Sequence, residues 1–270
     1  MFKNISIIGV GNLTQTLLFC IKNTSTKLNI NLYDLDNKKK VFASSKEWSF
    51  NTKIDKKIND CDLIIIAVKP TQYKKVCNDI NNYVNKKLVV VSMMAGVKTK
   101  DLKDKLSGEV LIARVMTNIN AKFGNAISSI YIEKRFKKDK AVSLKNLFNL
   151  FGSVRFIKTE AQIDKITALL GSGPAYFFLI YEAMLKVAQE LGLDSETASK
   201  LTLHTALGAA RLALTSESAP DVLRKQVTSP GGTTQAAIES FQAQDLENVF
   251  RKAMTSALDR AKEMSDDFVG

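Results

Sequence analysis

Gly9-Val10-Gly11-Asn12-Leu13-Thr14 stands directly after the apolar run Ile5-Ser6-Ile7-Ile8 and before a stretch with helical periodicity. Glycines at such a junction permit a tight turn and let backbone N–H groups approach a pyrophosphate, while the helix N-terminus adds its positive end. The spacing therefore predicts Gly9, Gly11, Asn12 and Leu13 as the phosphate cradle of a nicotinamide dinucleotide. The third glycine position of the pattern holds Thr14, where a smaller residue allows close helix-to-sheet packing, so the first helix is expected to stand slightly outward. Cofactor choice is read at the end of the second strand, where an acidic residue favours a free ribose hydroxyl and a basic one a 2′-phosphate. There Asp34 and Asp36 argue for NADH, and Lys38, Lys39 and Lys40 for NADPH. Either reduced cofactor is expected, with a slight lean to NADPH. Lys69 follows the apolar run Leu63–Val68, at the sheet edge where open α/β proteins bind ligands. It is either a ligand contact or a surface lysine.

Other chemistries lack their residues. His204 is the single histidine of 270 residues, which removes histidine-dependent triads and multi-histidine metal sites. No metal is expected. Cys20, Cys61 and Cys77 are odd in number and show no Cys-x-x-Cys spacing, which points to reduced thiols and a cytoplasmic protein. No apolar run approaches the roughly 18 residues of a membrane span, and the chain start leads straight into a strand, so neither a membrane nor export is expected. The net charge of +12 raises the question of nucleic acid. Residues 1–163 carry 29 basic against 13 acidic residues, a net +16, whereas residues 164–270 carry 10 against 14, a net −4. The lysines are scattered over helices and loops without interleaved aromatics, so they fit a solvated surface that steers anionic ligands inward better than a nucleic-acid stripe.

The elements that position these residues follow from periodicity. Ile5–Ile8, Asn29–Tyr33, Leu63–Val68, Leu88–Ser92 and Val110–Val115 read as strands, several of them continuously apolar, as strands buried on both faces are. Ala126–Ile132 and Val154–Ile157 flank a helix around Leu144–Leu150 and complete the sheet. Asparagine falls from 17 before residue 164 to one after it, and the pattern becomes helical almost throughout. The expected fold is α/β: a Rossmann-like, doubly wound parallel sheet over residues 1–163, followed by an all-α dimerisation and substrate-binding domain over 164–270.

Ala67-Val68-Lys69-Pro70, Ala95-Gly96, Met116-Thr117-Asn118, Gly171-Ser172-Gly173-Pro174-Ala175-Tyr176 and Gln226-Val227-Thr228-Ser229-Pro230-Gly231-Gly232-Thr233-Thr234 closely resemble pyrroline-5-carboxylate reductase, the last enzyme of proline biosynthesis. The resemblance runs end to end and is most specific in the final segment. Ile119 and Asn120 depart from the Thr-Pro common in the family, and Leu170 from a serine. The resemblance implies NAD(P)H-dependent hydride transfer to the cyclic imine 1-pyrroline-5-carboxylate, with homodimers, or larger homo-oligomers, paired through the C-terminal helices. It places the substrate carboxylate on Ser229, Gly231, Gly232, Thr233 and Thr234, where glycines leave backbone N–H groups exposed at a helix N-terminus. By similarity Thr234 Oγ hydrogen bonds to the ring nitrogen, Lys69 serves at the cofactor or substrate side, and Glu217 lies near the active site. Ala67, Val68, Pro70, Ala95, Gly96, Thr117 and Asn118 are implied to line the cofactor.

Two other readings stay open. A related imine or β-hydroxyacid reductase would share the architecture, yet it calls for a lysine on the interdomain helix, and none follows Gly173 before Lys186. A catalytically degenerate dinucleotide-binding protein would keep the glycine turn without the chemistry.

Overall fold

The computed structural model describes residues 2–44, 48–84, 88–107 and 110–266. Among these, β1 (Asn4–Ile8), β2 (Asn29–Tyr33), β3 (Ser49–Asn51), β4 (Leu63–Ile66), β5 (Val89–Ser92), β6 (Leu111–Met116), β7 (Ala126–Ile132) and β8 (Gly152–Phe156) form one sheet in the order β3-β2-β1-β4-β5-β6-β7-β8. Every residue of β4, β5 and β6 is buried, which is why these segments are apolar without alternation. Strands β1 to β6 pair in parallel, with Ile5 opposite Leu63 and Ile65 opposite Val91. β7 runs antiparallel to β6, and β8 is parallel to β7. The expected doubly wound parallel sheet is thus present through β6, and the two strands that complete it add one antiparallel pairing. A parallel crossover needs about a dozen residues or more, and the short link between β6 and β7 holds only a 3₁₀ turn at Ile119–Phe123.

Helices cover both faces. α1 (Asn12–Lys22) and α4 (Lys138–Phe148) place Leu17, Leu18, Ile21, Leu144 and Phe148 against Ile5, Ile7 and Val91. On the opposite face α2 (Tyr73–Ile80) and α3 (Thr99–Lys105) bring Tyr73, Val76, Ile80 and Leu102 onto Ile8, Ile64, Val90 and Ile112. Neighbouring strand residues thus serve two cores, the arrangement of a doubly wound sheet.

The rest is helical: α5 (Gln162–Ile166), a π-helical turn at Thr167–Gly171, then α6 (Gly173–Glu190), α7 (Ser195–Thr215), α8 (Pro220–Gln226), α9 (Thr233–Ala243) and α10 (Leu246–Asp266). Asp194 caps α7 by accepting from the Thr197 N–H at 2.9 Å, which holds its carboxyl below the usual range. By internal contacts the chain forms two compact units, Met1–Pro174 with Ser256–Gly270, and Ala175–Thr255. The division differs from the composition change at residue 163 because α5 belongs to the sheet: Ile163 is buried and Asp164 pairs with Arg114 on β6 at 3.4 Å. The end of α10 also lies with the first unit, through a contact that composition cannot reveal.

The helical run Gln162–Glu190 has an 18-residue stretch of mean hydropathy 1.3, enough in length and composition to cross a membrane. The expectation that no segment reaches that length is corrected on this point. Counting unbroken apolar residues misses it, because the small and weakly polar residues of Thr167–Tyr176 interrupt the run without lowering its mean below that of a span.

Candidate active site

In the first unit the candidate residues gather at the C-terminal ends of parallel strands. β1 lies between β2 and β4, so the connections diverge there and leave the crevice in which open α/β sheets bind ligands. Gly9 ends β1 with φ +97°, and a Cβ on it would stand 2.6 Å from the Ala67 carbonyl oxygen. Only glycine fits a backbone that is both left-handed and in contact with the next strand. Gly11 is the N-cap of α1, and no side chain caps that end. The first N–H groups of the helix, from Asn12 and Leu13 onward, thus lack the usual partner of a helix start. A Cβ on Gly11 would meet nothing within 4 Å, so the space above it is open to a ligand.

Thr14 is buried, and its hydroxyl donates to the Gly9 carbonyl at 2.8 Å. The bulkier residue at the third glycine position is absorbed into the turn by that bond. At the end of β2, Asp34 accepts from the Val10 N–H at 2.7 Å and from the Asp36 N–H at 2.9 Å. Lys38 is exposed and gives its backbone N–H to Asp36 at 3.0 Å. Its neighbour Lys39 reaches back instead, donating from Nζ to the Val10 carbonyl at 2.8 Å. Sequence reasoning chose Lys38 from three adjacent lysines, since nothing local tells which one turns inward.

Lys69 is exposed and caps the short turn Pro70–Gln72 after β4, with Ala67 and Val68 half-buried before it. Ala95 and Gly96 follow β5. Gly96 has φ +77°, and a Cβ there would lie 3.0–3.1 Å from Met264 at the end of α10. The thin backbone at Gly96 thus admits the C-terminal helix. After β6, Thr117 accepts from the Ser128 hydroxyl at 3.1 Å, and Asn118 donates from Nδ2 to the Leu170 carbonyl at 3.0 Å while accepting from the Asn120 N–H. Both side chains are buried. They fix the loop, and the carbonyl of Leu170, at the departure from the usual serine, takes part.

Arg114 is a residue that sequence reasoning missed. It is 1% exposed inside β6 and pairs with Glu160 at 3.1 Å and Asp164 at 3.4 Å, with Nε lacking a partner among the described residues. Glu160 also accepts from the Thr99 N–H at 2.7 Å and hydroxyl at 2.8 Å. One network therefore ties β6 to the starts of α3 and α5. The signal was available: a charge inside an apolar strand needs a buried partner. The cysteines take no part, since all three are buried and free, and burial pushes the Cys61 thiol up to about 11 and that of Cys77 to about 12.

In the second unit, α8 ends at Gln226 and α9 begins at Thr233. Between them Gly232 donates its N–H to the Ser229 carbonyl at 3.0 Å. Gly232 is the N-cap of α9, again with no side-chain cap and no acidic residue in the first turn. Ser229, Gly231, Thr233 and Thr234 are exposed around this end and Gly232 is half-buried, a setting suited to a carboxylate. Gln235, which sequence reasoning passed over, already accepts the Gly231 N–H at 2.7 Å. Glu217 is exposed in the turn between α7 and α8.

Comparison with known proteins covers both halves. The family model for pyrroline-5-carboxylate reductase dimerisation matches residues 160–264, and that for NADP oxidoreductase, coenzyme F420-dependent, matches residues 4–96. The chain is 39% identical to pyrroline-5-carboxylate reductase of Pseudomonas aeruginosa over 77% of each protein. A solved pyrroline-5-carboxylate reductase from Coxiella burnetii superimposes with a TM-score of 0.88 at 35% identity, covering 97% of this chain and 98% of that one. The Plasmodium falciparum pyrroline carboxylate reductase, solved with NADP bound, gives a TM-score of 0.87 at 25% identity over 97% and 98% of the two chains. A Rossmann-like sheet with its glycine turn at the switch point, followed by helices of this arrangement and matched over both halves at such identity, places the chain in the pyrroline-5-carboxylate reductase family.

Proposed function

We propose that the chain reduces 1-pyrroline-5-carboxylate to L-proline with NADPH or NADH, the last step of proline biosynthesis. The observation that carries this reading is the occurrence, in one chain, of a dinucleotide-type glycine turn in which a Cβ on Gly9 would strike Ala67, and of the dimerisation match over residues 160–264. The cofactor's residues fit the group: the turn is too tight for a side chain, and the N-terminus of α1 is uncapped toward open space. Gly9, Gly11, Asn12 and Leu13 would hold its pyrophosphate, with Asp34 and Lys38 at the adenosine side and Ala67, Val68, Lys69, Pro70, Ala95, Gly96, Thr117 and Asn118 along its length. When bound, the reduced nicotinamide supplies a hydride to the ring carbon of the C=N bond.

The chain's own part is binding and orientation. Hydride adds more readily to a protonated imine, whose nitrogen then receives the π pair and becomes the secondary amine of proline. The N-terminus of α9 holds the carboxylate through the backbone N–H groups of Thr233 and Thr234, those of Gly231 and Gly232 being taken by Gln235 and the Ser229 carbonyl, with up to about 2 kcal/mol from the helix end alone in a partly buried geometry. Thr234 Oγ meets the ring nitrogen, Ser229 lines the same pocket and Glu217 supplies charge in that unit, while Lys69 serves on the cofactor's unit. No strong side-chain base is required, in keeping with a chain that has one histidine. The dimerisation match supports a homodimer through the C-terminal helices or a larger assembly built from it, and the three cysteines without Cys-x-x-Cys spacing support a cytoplasmic protein.

The test is direct. Purified protein is expected to oxidise NADPH or NADH only when 1-pyrroline-5-carboxylate is present; the absence of turnover with both cofactors at saturating substrate would overturn the reading.

A further inference from the structure

We propose that Asp34 and Lys39 clamp the two peptide groups of Val10 to preset the phosphate-binding turn, and that neither residue reads the ribose 2′ position. The inference deepens the reductase reading and rests on it for the identity of the cofactor. Val10 is fully buried between Gly9 and Gly11, at the centre of the turn. Its N–H donates to Asp34 Oδ2 at 2.7 Å, and its carbonyl accepts from Lys39 Nζ at 2.8 Å and from Gln15 Nε2 at 3.0 Å. One residue before it, the Gly9 N–H donates to the Tyr33 carbonyl at 2.8 Å. Two consecutive residues of the turn are thus fastened to the end of β2 and the segment after it.

Both clamping groups are themselves held. The second oxygen of Asp34 accepts the Asp36 N–H at 2.9 Å, and Asp36 caps the 3₁₀ turn Asn37–Phe42, which carries Lys39, by accepting the Lys38 N–H at 3.0 Å. The two backbone N–H bonds, one to each oxygen, hold the Asp34 carboxylate facing the turn and leave each oxygen a single lone pair for any further partner. Lys39 is likewise turned onto a carbonyl, while Lys38 and Lys40 stay exposed. A glycine turn before an uncapped helix is costly to order, and a turn ordered beforehand spares the ligand that entropy. Bonds with a charged partner are the stronger kind for this purpose.

The experiment is isothermal titration of NADPH and of NADH, with steady-state kinetics alongside, on the full chain and on Asp34→Asn, Asp34→Ala, Lys39→Met and Lys39→Arg. The clamp predicts that Asp34→Ala and Lys39→Met weaken both cofactors by a similar factor of roughly ten, the scale of one lost charge-assisted hydrogen bond. The ratio of the two affinities and the KM for 1-pyrroline-5-carboxylate should stay within about twofold, and Lys39→Arg, which keeps a cationic donor, should recover most of the affinity. A gain for NADPH relative to NADH in Asp34→Ala, or a loss confined to NADPH in Lys39→Met, overturns the proposal. Should Asp34→Ala lose its fold, Asp34→Asn and the half-exposed Lys39 carry the same comparison. Cofactor binding without turnover of the imine would leave the clamp standing and remove the reductase reading, whereas an unsubstituted chain that binds neither dinucleotide overturns both.

Discussion

Thr234 lies exposed in the first turn of α9, two residues beyond the uncapped Gly232. In the proposed reaction its hydroxyl meets the ring nitrogen, where charge changes most as hydride arrives, so its contribution belongs to the chemical step. A hydrogen bond to a charged group is worth about 1.5–3 kcal/mol. Thr234→Ala is therefore expected to lower kcat about 10- to 100-fold, that energy expressed as a rate, with the Kd for NADPH unchanged because the glycine turn lies in the other unit. Steady-state kinetics beside titration of the cofactor check this, and an unchanged kcat removes Thr234 from the mechanism. Arg114 shows a different logic. Its charge is buried for good and answered by Glu160 and Asp164, so what it does is tie β6 to the starts of α3 and α5.

At the scale of elements, the two glycines that answer to the C-terminal strand ends make opposite demands. Gly96, with φ +77° and Met264 within 3.0–3.1 Å of an added Cβ, admits the end of α10 beside β5. Gly11 has ordinary backbone angles and open space around it. Gly96→Ala is thus expected to cost about 1–3 kcal/mol of stability through strain and overpacking, read as a lower melting temperature. Gly11→Ala should cost less, about 0.5–1 kcal/mol from the poorer N-cap that alanine makes, but should bind NADPH more weakly by crowding the pyrophosphate. Equal stability of the two variants would mean that the Gly96 contact is not tight in solution. This contrast also marks what a sequence displays. The runs Leu63–Ile66 and Val89–Ser92 were legible because burial on both faces leaves a continuous apolar signature, and Gly9 because its turn sits between two recognisable elements. β3 was not, since Ser49–Asn51 is a half-buried edge with no periodicity. Nor was α3, a seven-residue helix of Thr99–Lys105 that buries only Thr99 and Leu102. The contact of Gly96 with Met264 and the choice of Lys39 over Lys38 are tertiary facts, without any local cause in the chain.

For the whole molecule the decisive feature is the surface of the helical unit. Among its described residues α6 buries only Gly173 and α7 only Ala198 and Thr202, while Phe177, Phe178, Leu179, Leu203 and Leu207 are all exposed. Soluble monomers rarely leave contiguous apolar patches beyond a few hundred Å², and the dimerisation match spans these helices. In the proposed dimer a second copy of the chain would cover the apolar run through α6, which is long enough for a membrane by composition. Leu203 and Leu207, each 46% exposed, stand four residues apart on α7 and so share a face. Because the single chain leaves them in contact with solvent, glutamate at both sites should cost the protomer's own fold little, within about 1 kcal/mol for substitutions away from any core. It should be ruinous to an apolar interface, where two buried carboxylates per chain would go unpaired. The unsubstituted protein is expected to sediment at a multiple of 29.9 kDa, and Leu203→Glu with Leu207→Glu to shift it toward the single-chain mass with its helical content kept. If the parent sediments as a monomer, or the double variant assembles as the parent does, this face of α7 is not where the copies meet.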